Sequence, residues 1–324
     1  MNPCLTIIVP IYNSKAYFEE CLDSLCRVSG IEENEIILVD DGSTDGSAVI
    51  ADDYSKKYDY ISVIHNENSG PSVSRNTGLS KAHGKYIFFC DSDDIVDSDM
   101  LSSVIKLMKT EEVDIVLWNT MLIDSSGAVI EDDHLYQYRH NGLTETDGII
   151  TGKSVIEKQL RKRGDYVATV WMGAYLRSYL MDHDFFFMEK IIHEDELWAP
   201  QVLLNAERVM YYPGDLYHYR IHEGSIIRPE KRDWTKHIES LLIVYPRLYD
   251  YYDSVLKDDP VKCLLEKNLT QRYLYMIFKY DFCKYGYSDK VDKRTLWKKS
   301  GRIKDRIKII ILIVKERLKL IIRS

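Results

Sequence analysis

The strongest constraint on the fold is a rhythm in residues 5–118. Short runs rich in β-branched and aromatic residues, at 5–9, 35–39, 61–64, 85–90 and 114–118, alternate with helix-length segments at 14–28, 47–58, 72–83 and 97–109. Runs of this kind predict strands buried on both faces. Strand, helix, strand repeated in this order predicts a mostly parallel sheet with right-handed crossovers. Ligands of such sheets bind beyond the carboxyl ends of the strands, so those loops are where chemistry is to be sought.

The remainder of the chain is less regular. Residues 119–150 are polar and weakly periodic, which reads as a loop or hairpin excursion. A helix is predicted from the N-cap Thr151 to Lys162, and another from the acidic stretch His193-Glu194-Asp195-Glu196 to Ala206. Two Tyr-rich strands are predicted at 209–212 and 216–219, and helices from Lys231 to about Tyr285 with breaks at Pro246 and Pro260.

With 324 residues and 45% apolar side chains, the chain has ample core, and neither a collagen, a disordered tail nor a small disulfide scaffold fits it. The formal charge of −8 hides an asymmetry: residues 290–324 carry thirteen Lys and Arg against three Asp and Glu, leaving 30 against 48 in residues 1–289. An acidic body with a basic tail argues against nucleic-acid binding by the body. The six cysteines form no C-x-x-C pair, so they read as scattered reduced thiols. The first apolar run, 5–11, is short, is broken by Pro10 and has no basic residue ahead of it, which does not match a secretory signal and leads to the expectation of a cytoplasmic protein.

Six carboxylates gather at the predicted carboxyl ends of the strands: Asp40, Asp41 and Asp45 after the second, and Asp91, Asp93 and Asp94 after the fourth. Their repulsion calls for a cation or many hydrogen-bond donors. An Asp91-Ser92-Asp93 turn can hold magnesium or manganese on a diphosphate, although Asp93, Asp94 and Asp97 also suit the cap of the next helix. Asp40 is suited to the imide of a base or to ribose, and Tyr12 to stacking on a base. Ser43 and Thr44 are equally suited to capping a helix. Arg75, in the first turns of a helix where a cation is disfavoured, is expected to have a carboxylate or phosphate partner.

Taken in order and spacing, Pro10-Ile11-Tyr12-Asn13, Val39-Asp40-Asp41-Gly42-Ser43-Thr44-Asp45, Ser74-Arg75-Asn76-Thr77-Gly78, Asp91-Ser92-Asp93-Asp94 and His193-Glu194-Asp195-Glu196 resemble the family 2 glycosyltransferases. The resemblance is strong over residues 3–118 and looser over 165–225. It implies the GT-A fold, a Rossmann-like mostly parallel α/β sheet, with a catalytic domain over 1–228 (a nucleotide half, 1–118, and an acceptor half, 119–228) and a helical region over 229–324. It implies an inverting transfer from a nucleotide-diphosphate sugar, with UDP as the expected nucleotide, to a saccharide or lipid-linked saccharide in polysaccharide synthesis. By the same resemblance Pro10, Tyr12, Asp40, Arg75 and Asp91 surround the donor and Arg220 meets its diphosphate. Asp93, with Asp91, holds manganese or magnesium. Whether Asp94 and His222 join that shell stays open. Asp195 is the matching base, with Glu194 beside it. The later stretch from Tyr217 to Ile226 resembles a less sharply defined motif of the same domain. Ser74 and Ala174 depart from the commonest family pattern, the second leaving acceptor recognition less defined.

In the tail, Ile303, Ile307, Ile310, Ile311, Val314, Leu318, Ile321 and Ile322 form one helical stripe with Lys and Arg beside it. Its uninterrupted apolar run, 309–314, is far short of the roughly 20 residues that span a bilayer. A basic amphipathic helix over about 300–324 suits an anionic membrane surface, and packing on the body or in a homodimer is the alternative. The expected location is the inner face of the plasma membrane. A nucleotide-sugar pyrophosphorylase is a rival reading, but Pro10-Ile11-Tyr12-Asn13 is not the Gly-rich phosphate loop it needs. A catalytically silent membrane-associated scaffold is another.

Overall fold

The predicted rhythm is realised as one twisted sheet of nine strands with helices on both sides. The fold is taken from a computed structural model that describes residues 3–130, 138–222 and 233–323, the side chains of 319–323 excepted. In chain order the first half comprises β1 (Leu5–Ile11), α1 (Lys15–Cys26), β2 (Glu35–Asp40), α2 (Ser47–Lys57), β3 (Ile61–His65), α3 (Pro71–Lys81), β4 (Tyr86–Phe89), β5 (Ile95–Val96), α4 (Ser98–Thr110) and β6 (Ile115–Ile123). There follow β7 (Ile149–Ile150), α5 (Gly152–Arg163), β8 (Gly173–Leu176), α6 (Arg177–Asp182), α7 (Glu194–Asn205) and β9 (Val209–Arg220). The chain closes with α8 (Thr235–Leu256), α9 (Pro260–Lys279), α10 (Phe282–Tyr285), α11 (Lys293–Lys299) and α12 (Ile303–Arg323).

The sheet runs β3-β2-β1-β4-β8-β6-β9-β5, with β7 paired to β9. Strands β1 to β4 pair in parallel, which brings the ends of β1, β2 and β4 to one edge. Antiparallel β8 between β4 and β6 joins the two halves. β1, β2 and β4 are almost wholly buried, as expected, but β3 is the edge strand and buries only Ile61 fully.

Four sequence expectations are corrected. Residues 119–123 are not loop: β6 continues through them, because β9 pairs alongside as far as Ile123↔Arg220. The two Tyr-rich strands are one strand, β9, whose pairing with β6 shifts register around Asn119. Pro246 does not break α8, since it lies on the exposed face while Tyr245, Leu248, Tyr249 and Tyr252 are buried, and that packing overrides local propensity. Pro260, by contrast, opens α9 behind the capping side chain of Asp259. Thr151 caps α5 and Asp97 caps α4, but α2 begins behind Gly46, not behind Ser43 or Thr44. The division near residue 228 and the motif residues Glu223 to Ile226 lie outside the described residues.

α5 and α7 meet at a bare backbone. A Cβ on Gly152 would stand 1.8 Å from the carbonyl oxygen of Leu203, so only glycine allows that approach. Gly152→Ala is expected to lower stability by about 1–3 kcal/mol or more in urea titration, as overpacking does. An unchanged midpoint would mean that the contact is not close.

Candidate active site

The loops beyond β1 and β2 are stitched together by short polar side chains. Asn13 accepts from the Thr44 N–H at 2.8 Å, and its own N–H donates to Ser43 Oγ at 3.1 Å. Tyr12, 54% exposed, leaves its ring open to the cleft beside Pro10. Asp40 is buried, and its carboxylate accepts from the Ser43 N–H and from His65 Nδ1, both at 3.0 Å. Burial pushes its pKa upward, but the bonds from Ser43 and His65 outweigh that and hold it below the ordinary carboxylate value. Asp41 serves the fold instead: its two oxygens accept from the N–H groups of Ser69 and Gly70, fixing the turn that leads into α3.

Beyond β4 the three aspartates part ways. Asp94 is buried and both oxygens are engaged, one by Tyr217 Oη at 2.6 Å and the other by the Arg220 N–H at 2.7 Å. That makes it a brace between the β4 loop and β9. Asp93 keeps an accessible carboxylate, with His222 Nε2 2.9 Å from one oxygen. Asp91 has one oxygen 3.1 Å from Arg75.

Arg220, expected at the donor diphosphate, is engaged by protein. Only 1% exposed, it lies over the Tyr17 ring and is bound to Glu20 at 2.6 Å and to the carbonyl of Asp93 at 2.9 Å. Its remaining nitrogen reaches the carbonyls of Asp124 and Ser125, so it buttresses the Asp93 loop.

Among the described residues no group of three or more His, Cys, Asp and Glu is arranged to hold an ion alone. Magnesium and manganese do not require such a cage, because one or two protein ligands together with substrate phosphates and water suffice. Asp93 and His222, a hard oxygen and an imidazole side by side at the cleft, fit that arrangement.

The acidic N-terminus of α7 supplies the other side of the site. Glu194 is buried and ion-paired with Arg75 at 2.6 Å, so it positions the helix and is not open to a substrate. Arg75 therefore has two carboxylate partners, as its place in α3 predicts, and joins Asp91 to Glu194. Glu196 is held by Tyr245 Oη at 2.9 Å and by Arg272 at 3.5 Å. Asp195 lies between these two neutralised glutamates; among the described residues no cation pairs with it, and the Glu196 N–H donates to it at 2.8 Å. Burial above all, then the charges of Glu194 and Glu196, push its pKa from 3.8 to about 8.

The sequence reading missed the residues that hold this helix. Ser240 accepts from the Ile192 N–H at 2.9 Å, and His237 pairs with His193 at 3.1 Å. His193 sits in the left-handed region at φ 69°, a conformation that this surrounding contact maintains. His237, Ser240, Tyr245 and Arg272 come from α8 and α9, 40 to 80 residues along the chain, where no local motif marks them. His65, which orients Asp40, is missed for the same reason.

Comparison with known proteins gives a consistent family. Residues 6–183 match the model of the family described as Glycosyl transferase family 2. The "Uncharacterized glycosyltransferase YibD" of Escherichia coli (strain K12) is 31% identical over 69% of this chain and 63% of its own length, so the match spans less than two thirds of that relative. "Uncharacterized glycosyltransferase EpsJ" of Bacillus subtilis (strain 168) is 33% identical over 78% of this chain and 71% of its own. The crystal structure of residues 1–349 of S. aureus TarS in complex with UDP-GlcNAc superposes with a TM-score of 0.65 at 22% identity, covering 95% of this chain and 79% of that one. Mannosyltransferase PcManGT from Pyrobaculum calidifontis, in complex with GDP-Man and Mn2+, superposes with a TM-score of 0.55 at 16% identity, covering 98% and 87%.

The raised pKa of Asp195 has a consequence for stability. The unfolded chain releases this proton near 3.8 and the folded chain keeps it to about 8, so its contribution to stability is full below the lower value and is lost as pH rises through the higher one. Asp195→Asn, measured without donor or metal, is expected to match wild type near the lower pH and to gain in Tm relative to it as pH rises across that window. A Tm difference that stays flat over the same range contradicts the assignment.

Proposed function

The chain is a glycosyltransferase of the GT-A fold that belongs to glycosyl transferase family 2, and on that premise we propose that it moves a sugar from a nucleotide-diphosphate donor, a UDP-sugar, to a saccharide or lipid-linked saccharide acceptor with inversion. The observation that carries the reading is Asp195: of the three acidic residues opening α7, it is the one that has no arginine partner among the described residues, and its pKa is raised toward the pH at which a base works best.

Asp195 takes the proton of the acceptor hydroxyl as that oxygen bonds to the anomeric carbon. The bond from that carbon to the donor diphosphate oxygen breaks, and the nucleoside diphosphate leaves with the electron pair. Glu194 and Glu196, held by Arg75 and Arg272, fix the position of Asp195, and positioning of this kind supplies much of the rate. On the donor side, Tyr12 stacks on the base, Pro10 lines its site and Asp40 accepts hydrogen bonds from the base, with Asp91 toward the ribose. Arg75 acts from behind, holding Asp91 and Glu194 together. Asp93 and His222 would hold a divalent cation, manganese or magnesium. When bound, that ion supplies Lewis-acid stabilisation of the charge growing on the leaving diphosphate.

Support for the nucleotide comes from the UDP-GlcNAc complex of TarS, and for the ion from the manganese complex of PcManGT, both fold relatives. We assign residues 1–228 to the catalytic unit and 229–324 to a helical region. The proposed setting is polysaccharide synthesis at the inner face of the plasma membrane; no helix among the described residues is long and apolar enough to cross a membrane.

Thermal-shift screening of UDP-, GDP- and dTDP-sugars with manganese tests the donor class, because a bound donor stabilises the folded state by mass action. In calorimetry and UDP-release assays, Asp93→Ala is expected to lose manganese-dependent donor binding. Asp195→Asn is expected to bind donor within a few-fold of wild type while turnover falls by about 10²–10⁴. Turnover preserved in Asp195→Asn sinks the base assignment. No UDP release by wild type with any donor favours a catalytically silent scaffold.

A further inference from the structure

α12 has two apolar faces, and only one of them touches the body. Asp305, Ile309 and Leu312 are buried, Ile313 is half-buried, and Glu316 is ion-paired with Lys293 at 2.9 Å. The opposite face is the stripe singled out in the sequence. Ile303 is 78% exposed, Ile307 50%, Ile310 48%, Ile311 41%, Val314 48% and Leu318 54%. At 3.6 residues per turn these six fall within an arc of roughly 100°. Packing of this stripe against the body is thereby excluded, since Ile309 and Leu312 already fill that role.

The flanks of the exposed stripe have one sign. Lys304, Lys308 and Lys315 lie on one side, Lys315 over the Phe278 ring, and Arg306 and Arg317 on the other, Arg306 over Trp297 and donating to Ser300 Oγ, whereas Asp305 and Glu316, the helix's acidic residues, face the body. A second copy of the helix laid on this face would bring basic flank against basic flank, which is unfavourable. An apolar strip bordered on both sides by long basic side chains suits acyl chains in the middle and anionic phosphates at the edges, where Lys304, Lys308 and Arg317 can lay their stems along the apolar surface with their charges in the headgroups.

We propose that the outward face of α12 is a docking surface for an anionic phospholipid bilayer, with α12 lying in the plane of the interface while its inner face stays latched to the body. This deepens the membrane-peripheral reading given above and rests on it. Because Ile309 and Leu312 are part of the body's core, deletion of the helix would expose that core, and substitutions on the outer face are the cleaner test.

Full-length protein is sedimented with vesicles of phosphatidylcholine alone and of phosphatidylcholine mixed with phosphatidylglycerol, at low and high salt. Wild type is expected to co-sediment with the anionic vesicles, less so at high salt, and to partition at least about tenfold less onto phosphatidylcholine alone. The double variant Ile307→Glu, Val314→Glu is expected to lose the anionic partitioning while keeping the wild-type Tm and the wild-type rate of manganese-dependent UDP release in the absence of vesicles. Equal partitioning of variant and wild type, or of both lipid compositions, overturns the proposal. So does a vesicle-free dimer in analytical ultracentrifugation that the same variant dissociates. Loss of vesicle binding as the only failed result leaves transfer chemistry standing, whereas absent UDP release with intact vesicle binding counts against the transferase reading alone.

Discussion

One buried guanidinium ties the donor side of the site to the acceptor side. Arg75, on α3, reaches Asp91 beyond β4 and Glu194 at the head of α7, and these two carboxylates are 103 residues apart in the chain. Burying an ion costs several kcal/mol, and two carboxylate partners offset that cost for Arg75 while Arg75 offsets it for them. Removal of Arg75 leaves both carboxylates without their cation, at about 3–5 kcal/mol for a buried pair, whereas removal of either carboxylate leaves Arg75 paired with the other. The geometry of the cleft is therefore set by charge pairing more than by loop conformation.

The same logic explains how the site tolerates so many acids. Arg75 and Arg272 neutralise Glu194 and Glu196, peptide N–H groups hold Asp41, and Tyr217 with the Arg220 N–H holds Asp94. Among the described residues, Asp93, beside His222, and Asp195, between the glutamates, stand out as compensated only in part. These are the two on which the proposed chemistry depends. The C-terminal helices are part of this arrangement, since His237, Ser240, Tyr245 and Arg272 hold the segment carrying Asp195.

The parallel half of the sheet and the position of the acidic loops were legible in the sequence because hydrophobic period and turn chemistry are local. What was not legible depends on partners distant in the chain. Arg220 and Glu194 carry the residue types of ligand and base, yet each is engaged by protein: Glu20 and backbone carbonyls in one case, Arg75 in the other. The polar stretch 119–123 lacks a strand pattern and becomes strand because β9 pairs beside it. Most of the 24 tyrosines had no assignable role in isolation. In the fold they build stacked pairs such as Trp171 with Tyr217 and Tyr245 with Tyr273, and their hydroxyls satisfy buried acceptors such as Glu196 and Asp94. The net charge of the tail was readable, but which of its faces the body would cover was not.

The central claim is that one carboxylate, Asp195, drives one direct displacement. Its most direct test is the anomeric configuration of the transferred sugar, read by NMR from the coupling of the anomeric proton in the product formed with whichever UDP-sugar is turned over. Single displacement predicts a configuration opposite to that of the donor. Retention would require a second displacement or a front-face route, and would contradict the account.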